Sequence, residues 1–402
     1  MLDAVLRAVD DGYTLDLARR LVRVPSVYRP GIPEATEAAS AALLAEELRR
    51  LDLAVHVEDA GPGRPNVIAD LPGGPGPVLI FEGHTDVVTE GNAAAWSVPP
   101  FGGEIRDGRL YGRGAADMKA GIAAAIGAVR ALRDAGVRLA GTVRLAIVAD
   151  EEGMMLGIKS FIGNGWAEGA AGAIVCEPED NAICLVQKGA MRALARFEGR
   201  MAHGAMPKSG RNPIPAAAAF VREAGALEAR YVARHGRHAL LGEPSITPTL
   251  LRAGEPAQLN VMHADAVVGL DIRTIPGQAD AAIRADLVAA AASAAAATPG
   301  CRSEVEVIET RPWTETDPHA AIAVAVAAAC RRVQGRAPRF AGVPGATDGT
   351  FLHAWAHVPI VTIGPGDVTI PHQVDEFVRV ADVAQACRIY AAAAWYFLTG
   401  AS

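Results

Sequence analysis

Aromatic residues make up only 5% of this chain of 402 residues. With half of the residues hydrophobic, the interior must therefore be built mainly from closely packed, Ala-rich helices rather than around large rings. There is no Lys/Arg run, and the net charge is −7, which excludes nucleic acid as an expected partner. The five cysteines (Cys176, Cys184, Cys301, Cys330, Cys387) are odd in number, scattered and without a CxxC pair, which argues against a disulfide framework or a thiolate metal site. Cys176, beside Glu177, reads as a buried strand residue. The longest apolar stretches, Leu287 to Ala297 and Ala320 to Cys330, fall short of the roughly 18–20 residues that cross a bilayer, so no membrane segment is expected. The opening Met1-Leu2-Asp3-Ala4-Val5 turns acidic at once instead of following the order of a signal peptide, and a cytoplasmic location is the expectation. No internal repeat or low-complexity linker is found. A small molecule or peptide is the remaining class of partner.

What is present is an alternation of two periodicities. Leu15 to Leu21 and Glu34 to Leu51 read as amphipathic helices, and Asn66 to Asp70, Val78 to Phe81, Thr142 to Ala149 and Ala173 to Cys176 as strands. Met118 to Ala135 reads as a helix closed by Gly136. This is the pattern of a mixed α/β sheet. From about Gly189 the order becomes β-α-β-β-α-β: strand Ala190 to Glu198, a helix from Asn212-Pro213 to about Tyr231, strands Ile246 to Arg252 and Val261 to Ile272, helix Gln278 to Ala297, and strand Arg302 to Glu309. That order is ferredoxin-like. The expected organisation is a catalytic domain in two parts, 1–188 and 309–402, with an inserted α+β lid at 189–308. The second part should hold helix His319 to Val333, strand Pro359 to Ile363 and a final helix from Val380.

Five potential metal ligands, His84, Asp117, Glu152, Glu177 and His372, fall at the ends of apolar runs or in Gly-rich turns. Two zinc-like cations about 3.5–4 Å apart need one bridging carboxylate, with about one His and one carboxylate more for each. Three carboxylates and two imidazoles fit that count. Asp86 lies two residues beyond His84, within reach to orient its imidazole. Glu151 precedes Glu152, and one carboxylate of such a pair can bind metal while the other moves a proton from water to a leaving amine.

The chain resembles the dizinc amidohydrolase and metallopeptidase family that includes acetylornithine deacetylase, succinyl-diaminopimelate desuccinylase, aminoacylase and glutamate carboxypeptidase. The resemblance covers nearly the whole chain. Its carriers are Gly83-His84-Thr85-Asp86-Val87-Val88, Tyr111 to Gly121 with Asp117-Met118-Lys119, Asp150-Glu151-Glu152-Gly153, Glu177-Pro178 and Pro371-His372-Gln373-Val374-Asp375-Glu376. It implies two divalent ions per chain, zinc first with cobalt or manganese as alternatives. Asp117 would bridge them, with His84 and Glu177 completing one site and Glu152 and His372 the other. It further implies that Asp86 orients His84, that Glu151 is the general base, and that the Asp117–Met118 peptide bond is cis.

In the insert, His203 resembles a histidine that reaches across a homodimer to the oxyanion, and Asn260 and Arg273 resemble lid residues that touch substrate. Arg273 would grip a free carboxylate. Each has a plainer reading: His203 as the cap of a turn, Asn260 as a strand-edge residue, and Arg273 as the partner of Asp271 or Glu255. Asp348 reads as a turn residue. Ala120 stands where many relatives have Gly, and Pro371 where Ala is frequent. The leading expectation is a hydrolase cleaving the amide of an N-acyl amino acid. A carboxypeptidase or dipeptidase using the same site is the alternative, and a catalytically silent binding protein the remote one.

Overall fold

The computed structural model describes residues 1–27, 29, 32 and 36–400. The chain forms two compact units, one of residues 1–185, 316–343 and 347–402 and the other of residues 186–315 and 344–346. After a short helix, Leu2–Ala8, the first contains helices α1 (Asp11–Val22) and α2 (Ala38–Arg50), followed by strands β1 (Ala54–Asp59), β2 (Pro65–Leu71) and β3 (Val78–His84). The start expected for α2, Glu34 and Ala35, lies outside the described residues. Helix α3 (Ala120–Asp134) leads to β4 (Thr142–Val148), β5 (Ala170–Val175) and β6 (Ile183–Gln187).

The second unit contains β7 (Gly189–Glu198), α4 (Ile214–His235), β8 (Ser245–Ala253), β9 (Asp265–Thr274), α5 (Asp280–Ala296) and β10 (Arg302–Arg311). These strands are antiparallel in the order β8-β9-β7-β10, the ferredoxin-like arrangement. Alternation along β7 buries Met191, Ala193, Ala195 and Phe197, which pack with Phe220 of α4 and Leu287 of α5 in a core of their own. The single strand expected over Val261 to Ile272 is broken. Val261–Met262 pairs with Ala202–His203 in a separate two-strand ribbon, and β9 starts only at Asp265.

The chain then supplies α6 (Ala321–Gln334), α7 (Gly349–Ala356), β11 (Ile360–Thr362) and α8 (Val380–Thr399). The main sheet runs β1-β2-β4-β3-β5-β11-β6, with β4, β3, β5 and β11 mutually parallel at its centre. Strands buried on both faces read as near-continuous apolar runs, as β3 does, because helices cover the sheet on each side. Of the residues of α3, only a few reach solvent; its small side chains let it pack closely. At Gly121 a Cβ would stand 2.1 Å from the Cys176 carbonyl oxygen, so only glycine lets the start of α3 approach the end of β5 this closely. The mixed α/β fold with an inserted ferredoxin-like unit is thus the one expected. Among the described residues, no helix is long and apolar enough to cross a membrane.

Candidate metal centre

Ligands in open α/β sheets collect beyond the carboxyl ends of parallel strands. Three such ends deliver candidate residues here. His84 closes β3, Asp150-Glu151-Glu152 follows β4, and Glu177 stands just after β5. Asp117 comes from the segment before α3, where its peptide bond to Met118 is cis. His372 arrives from the loop between β11 and Phe377, in a left-handed backbone conformation with φ of 67°.

The five side chains converge as two groups that share Asp117. On one side His84 Nε2 lies 3.2 Å from Asp117 Oδ1 and 3.6 Å from Glu177 Oε1. On the other, His372 Nε2 lies 3.4 Å from Asp117 Oδ2 and 2.9 Å from Glu152 Oε1. Donors about 2.0–2.1 Å from a tetrahedral zinc are separated from each other by roughly 3.3 Å. Separations of 3.2, 3.4 and 3.6 Å lie near that edge, while His372 and Glu152, at hydrogen-bond distance of 2.9 Å, would have to part slightly to admit a cation, so the donor set is compatible with one cation on each side of the Asp117 carboxylate.

The electrostatics point the same way. Burial works against a charge on His84, but Asp117 and Asp86 outweigh it and raise its pKa well above that of a free imidazole. His372 is pushed up to about 10, chiefly by Asp117 and Glu152. Burial, and then the Asp117 charge, drives Glu177 well above the usual carboxylate range. Asp117 itself is held below that range: burial opposes this, and the bonds to His372 and His84 prevail. The imidazoles are thus raised by the negative charge of the carboxylates gathered around them.

Asp86 is fully buried, and its placement is more specific than spacing implied. His84 Nδ1 faces the Asp86 backbone oxygen at 3.0 Å and the carboxylate at 3.6 Å. The carboxylate accepts the backbone N–H groups of Glu151 at 3.1 Å and Glu152 at 2.9 Å. It therefore fixes the acidic turn as well as facing the imidazole. Asp150, φ 70°, braces the same turn by accepting from the N–H groups of Met154 and Leu156. Its other oxygen meets Arg64, which also binds Glu37, so a buried network supports the turn from behind.

Several of these residues carried no signal in the sequence. Arg64 and Glu37 sit in no motif. Lys119 lies in one, but its buried ammonium donates to the carbonyls of Leu21 and Val24 at 3.0 and 2.8 Å, near the C-terminal end of α1. Burial lowers its pKa to about 7. Asp348, expected to shape a turn, precedes α7 and is buried with neither carboxylate oxygen hydrogen-bonded. Burial, and then the charges of Glu82 and Glu151, pushes its pKa well up.

The remaining candidate residues belong to the second unit. His203, on the two-strand ribbon, and Asn260, in the turn just before its second strand, are both exposed, and the Gly204 N–H donates to the Asn260 carbonyl at 2.7 Å. His203 Nδ1 accepts the Ala205 N–H at 3.0 Å, so it does cap a turn, and in the neutral ring its proton is then on Nε2. Arg273 pairs with Asp271, Nε to Oδ1 at 2.7 Å and Nη2 to Oδ2 at 3.2 Å.

Fold and site together define a mixed α/β protein with a candidate dinuclear metal-binding group. Residues 80–396 match the Peptidase family M20/M25/M40. The succinyl-diaminopimelate desuccinylase of Rhodospirillum centenum is 33% identical over 400 residues, 93% of this chain and 94% of that protein. That of Gluconacetobacter diazotrophicus is 34% identical over 408 residues, 94% and 95% of the two chains. An M20 family metallo-carboxypeptidase of Sulfolobus solfataricus superposes with a TM-score of 0.79 at 18% identity, over 96% of this chain and 99% of that one. A dinuclear metal-binding peptidase of Bacillus subtilis does so with a TM-score of 0.74 at 17% identity, over 97% and 98%. The chain belongs to the Peptidase family M20/M25/M40, as the resemblance implied, and is a hydrolase acting on amide bonds.

Proposed function

We propose that this hydrolase removes the acyl group of an N-acyl amino acid, in the manner of the desuccinylases to which it is similar, using two divalent cations, zinc first. The observation that carries the reading is the convergence of two donor groups on one carboxylate, Asp117, with Glu151 next to the donor Glu152. His84 and Glu177 would hold one cation and Glu152 and His372 the other. When bound, the pair would polarise the scissile carbonyl and acidify a water. Glu151 then takes the proton of the attacking water and returns it to the leaving nitrogen. Asp86 holds the Glu151-Glu152 turn at the required height. His203, with its proton on Nε2, donates to the developing oxyanion. Arg273 offers Nη1, the amino group not engaged by Asp271, to the substrate carboxylate, and Asn260 contacts substrate beside His203.

Residues 189–308 act in this reading as a lid through which the protein forms a homodimer. Support comes from β8, an edge strand whose outward Leu251 is 61% exposed, and from Leu259 nearby in sequence, 91% exposed. The cytoplasm is the proposed location. The test is a hydrolysis panel of N-acyl amino acids against dipeptides, with zinc, cobalt or manganese supplied. Faster turnover of the N-acyl series supports the deacylase, faster turnover of dipeptides would replace it with a dipeptidase, and no hydrolysis of either would leave a silent binding protein.

A further inference from the structure

We propose that Glu376, held by Arg113, is a positioning residue that locks Asp117 and the loop carrying His372 into one arrangement, so that the His372 half of the metal centre depends on an ion pair outside the donor set. The proposal rests on the reading of Asp117 and His372 as ligands.

The two segments concerned are 259 residues apart in the chain. One Glu376 carboxylate oxygen accepts the N–H of Ala116 at 2.9 Å and of Asp117 at 3.1 Å. The other meets Arg113 Nη1 at 2.5 Å. Arg113 in turn donates from Nη2 to the His372 carbonyl at 3.3 Å, and the Gly112 N–H donates to the Glu376 carbonyl at 2.9 Å. A short antiparallel pairing of Arg109–Tyr111 with Phe377–Arg379 ends at the pair Tyr111–Phe377 and so delivers both segments to this point. One carboxylate thereby reads the backbone of the bridging ligand while its counter-ion reads the backbone of the distant histidine.

The His372 loop has need of such a restraint. Its side chain is 53% exposed, the least sheltered of the donors, and both His372 and Asp375 occupy the left-handed region that residues with a Cβ disfavour. The imidazole of His84, by contrast, closes a central strand and faces the backbone oxygen of Asp86. The clamp is buried where the histidine is not: Glu376 is 0% and Arg113 3% exposed. Two charges taken out of water need full compensation. Glu376 is met by two backbone donors and a guanidinium, which ties its position to theirs.

Glu376→Gln keeps the shape and one acceptor oxygen but cannot neutralise Arg113, and Arg113→Lys keeps the charge but loses the forked contact to Glu376 and His372. Chelator-treated protein, checked by circular dichroism and thermal unfolding, is titrated with cobalt(II) by calorimetry. The wild type is expected to take up about two equivalents. Each variant should bind the His372-side equivalent about ten- to a hundredfold more weakly, the usual scale for losing a group that orients a ligand, and the other clearly less so, because the two share only Asp117. The loss should be absent in a His372→Ala background and persist in a His84→Ala background, a pattern that general destabilisation does not produce. An unchanged second equivalent, an equal weakening of both, or the same loss in both backgrounds would overturn the clamp. A wild-type protein that binds no cobalt, or a His372→Ala protein that binds two equivalents unaltered, would overturn the reading of the site and the clamp with it. If Glu376→Gln does not fold, Arg113→Lys carries the same comparison.

Discussion

The two units of this chain shelter most of their candidate site residues to different degrees, with His372 the exposed exception in the first. In the first, His84, Asp86 and Glu151 are all buried, and the Asp86 carboxylate ties down the acidic turn by accepting the N–H groups of Glu151 and Glu152. In the second, His203 stands exposed on a ribbon two residues long per strand, Asn260 is exposed in the turn beside it, and Arg273 is half-buried against Asp271. Groups that must hold a charge arrangement against water are fixed before substrate arrives. Groups that meet a substrate must first be reachable. On this division, changes in the first unit should reduce kcat or metal content, and changes in the second should act on the stabilisation or recognition of substrate.

The largest effect tests the first half of that division. Removal of divalent ions by a chelator is expected to abolish turnover, and resupply of zinc to restore it, since three carboxylates and two imidazoles exceed what a single tetrahedral zinc takes. Metal analysis alongside the assay checks it. Full activity in protein shown to be metal-free would erase the distinction between the units. Next in size, Glu151→Gln should lower kcat by about a hundred- to ten-thousandfold, the scale of general-base loss, with metal content unaltered. Should the metal leave as well, Glu151 would be a ligand, and the roles within the pair would be exchanged.

The same contrast governs how much could be read from the sequence. His84, Glu152 and Glu177 were legible because an apolar run followed by a polar residue marks a strand end, and the fold brings parallel strand ends together. The partners that hold them were not. Arg64 meets Glu37 across 27 residues and Asp150 across 86, and Arg113 meets Glu376 across 263, so no local pattern reports the pairing. Glu376 lay inside a recognised motif and still had no legible role. In the second unit the six main elements followed from periodicity, but the ribbon did not. Val261 and Met262 continue the apolar pattern of β9, and only their pairing with Ala202 and His203 takes them out of it.

A smaller effect probes the exposed half. His203→Ala should reduce kcat by about a hundred- to a thousandfold, as loss of an oxyanion donor does, while leaving metal content untouched. Mixing Glu151→Gln chains with His203→Ala chains sharpens the point: recovered activity in confirmed heterodimers would show the histidine acting across a dimer. Inactive heterodimers would place it within its own chain or outside catalysis.

The smallest effect is expected at Arg273, and the reason lies in its existing partner. Asp271 already engages Nε and Nη2, at 2.7 and 3.2 Å, so a substrate carboxylate would meet Nη1 alone on the proposed reading. A single charge-assisted contact is worth about 1.5–3 kcal/mol, so Arg273→Ala should raise KM by roughly ten- to a hundredfold with little change in kcat. The carboxylate dependence makes the prediction specific. Wild-type protein should turn over amidated or esterified substrates poorly, and the variant should discriminate between free and blocked carboxylates much less. Asp271→Asn is the companion change, because it removes the neutralising charge while sparing the guanidinium, and it should preserve the preference for free carboxylates. Equal turnover of free and blocked substrates by the wild type would assign Arg273 to Asp271 alone, and recognition in the second unit would then have to rest on Asn260 and His203.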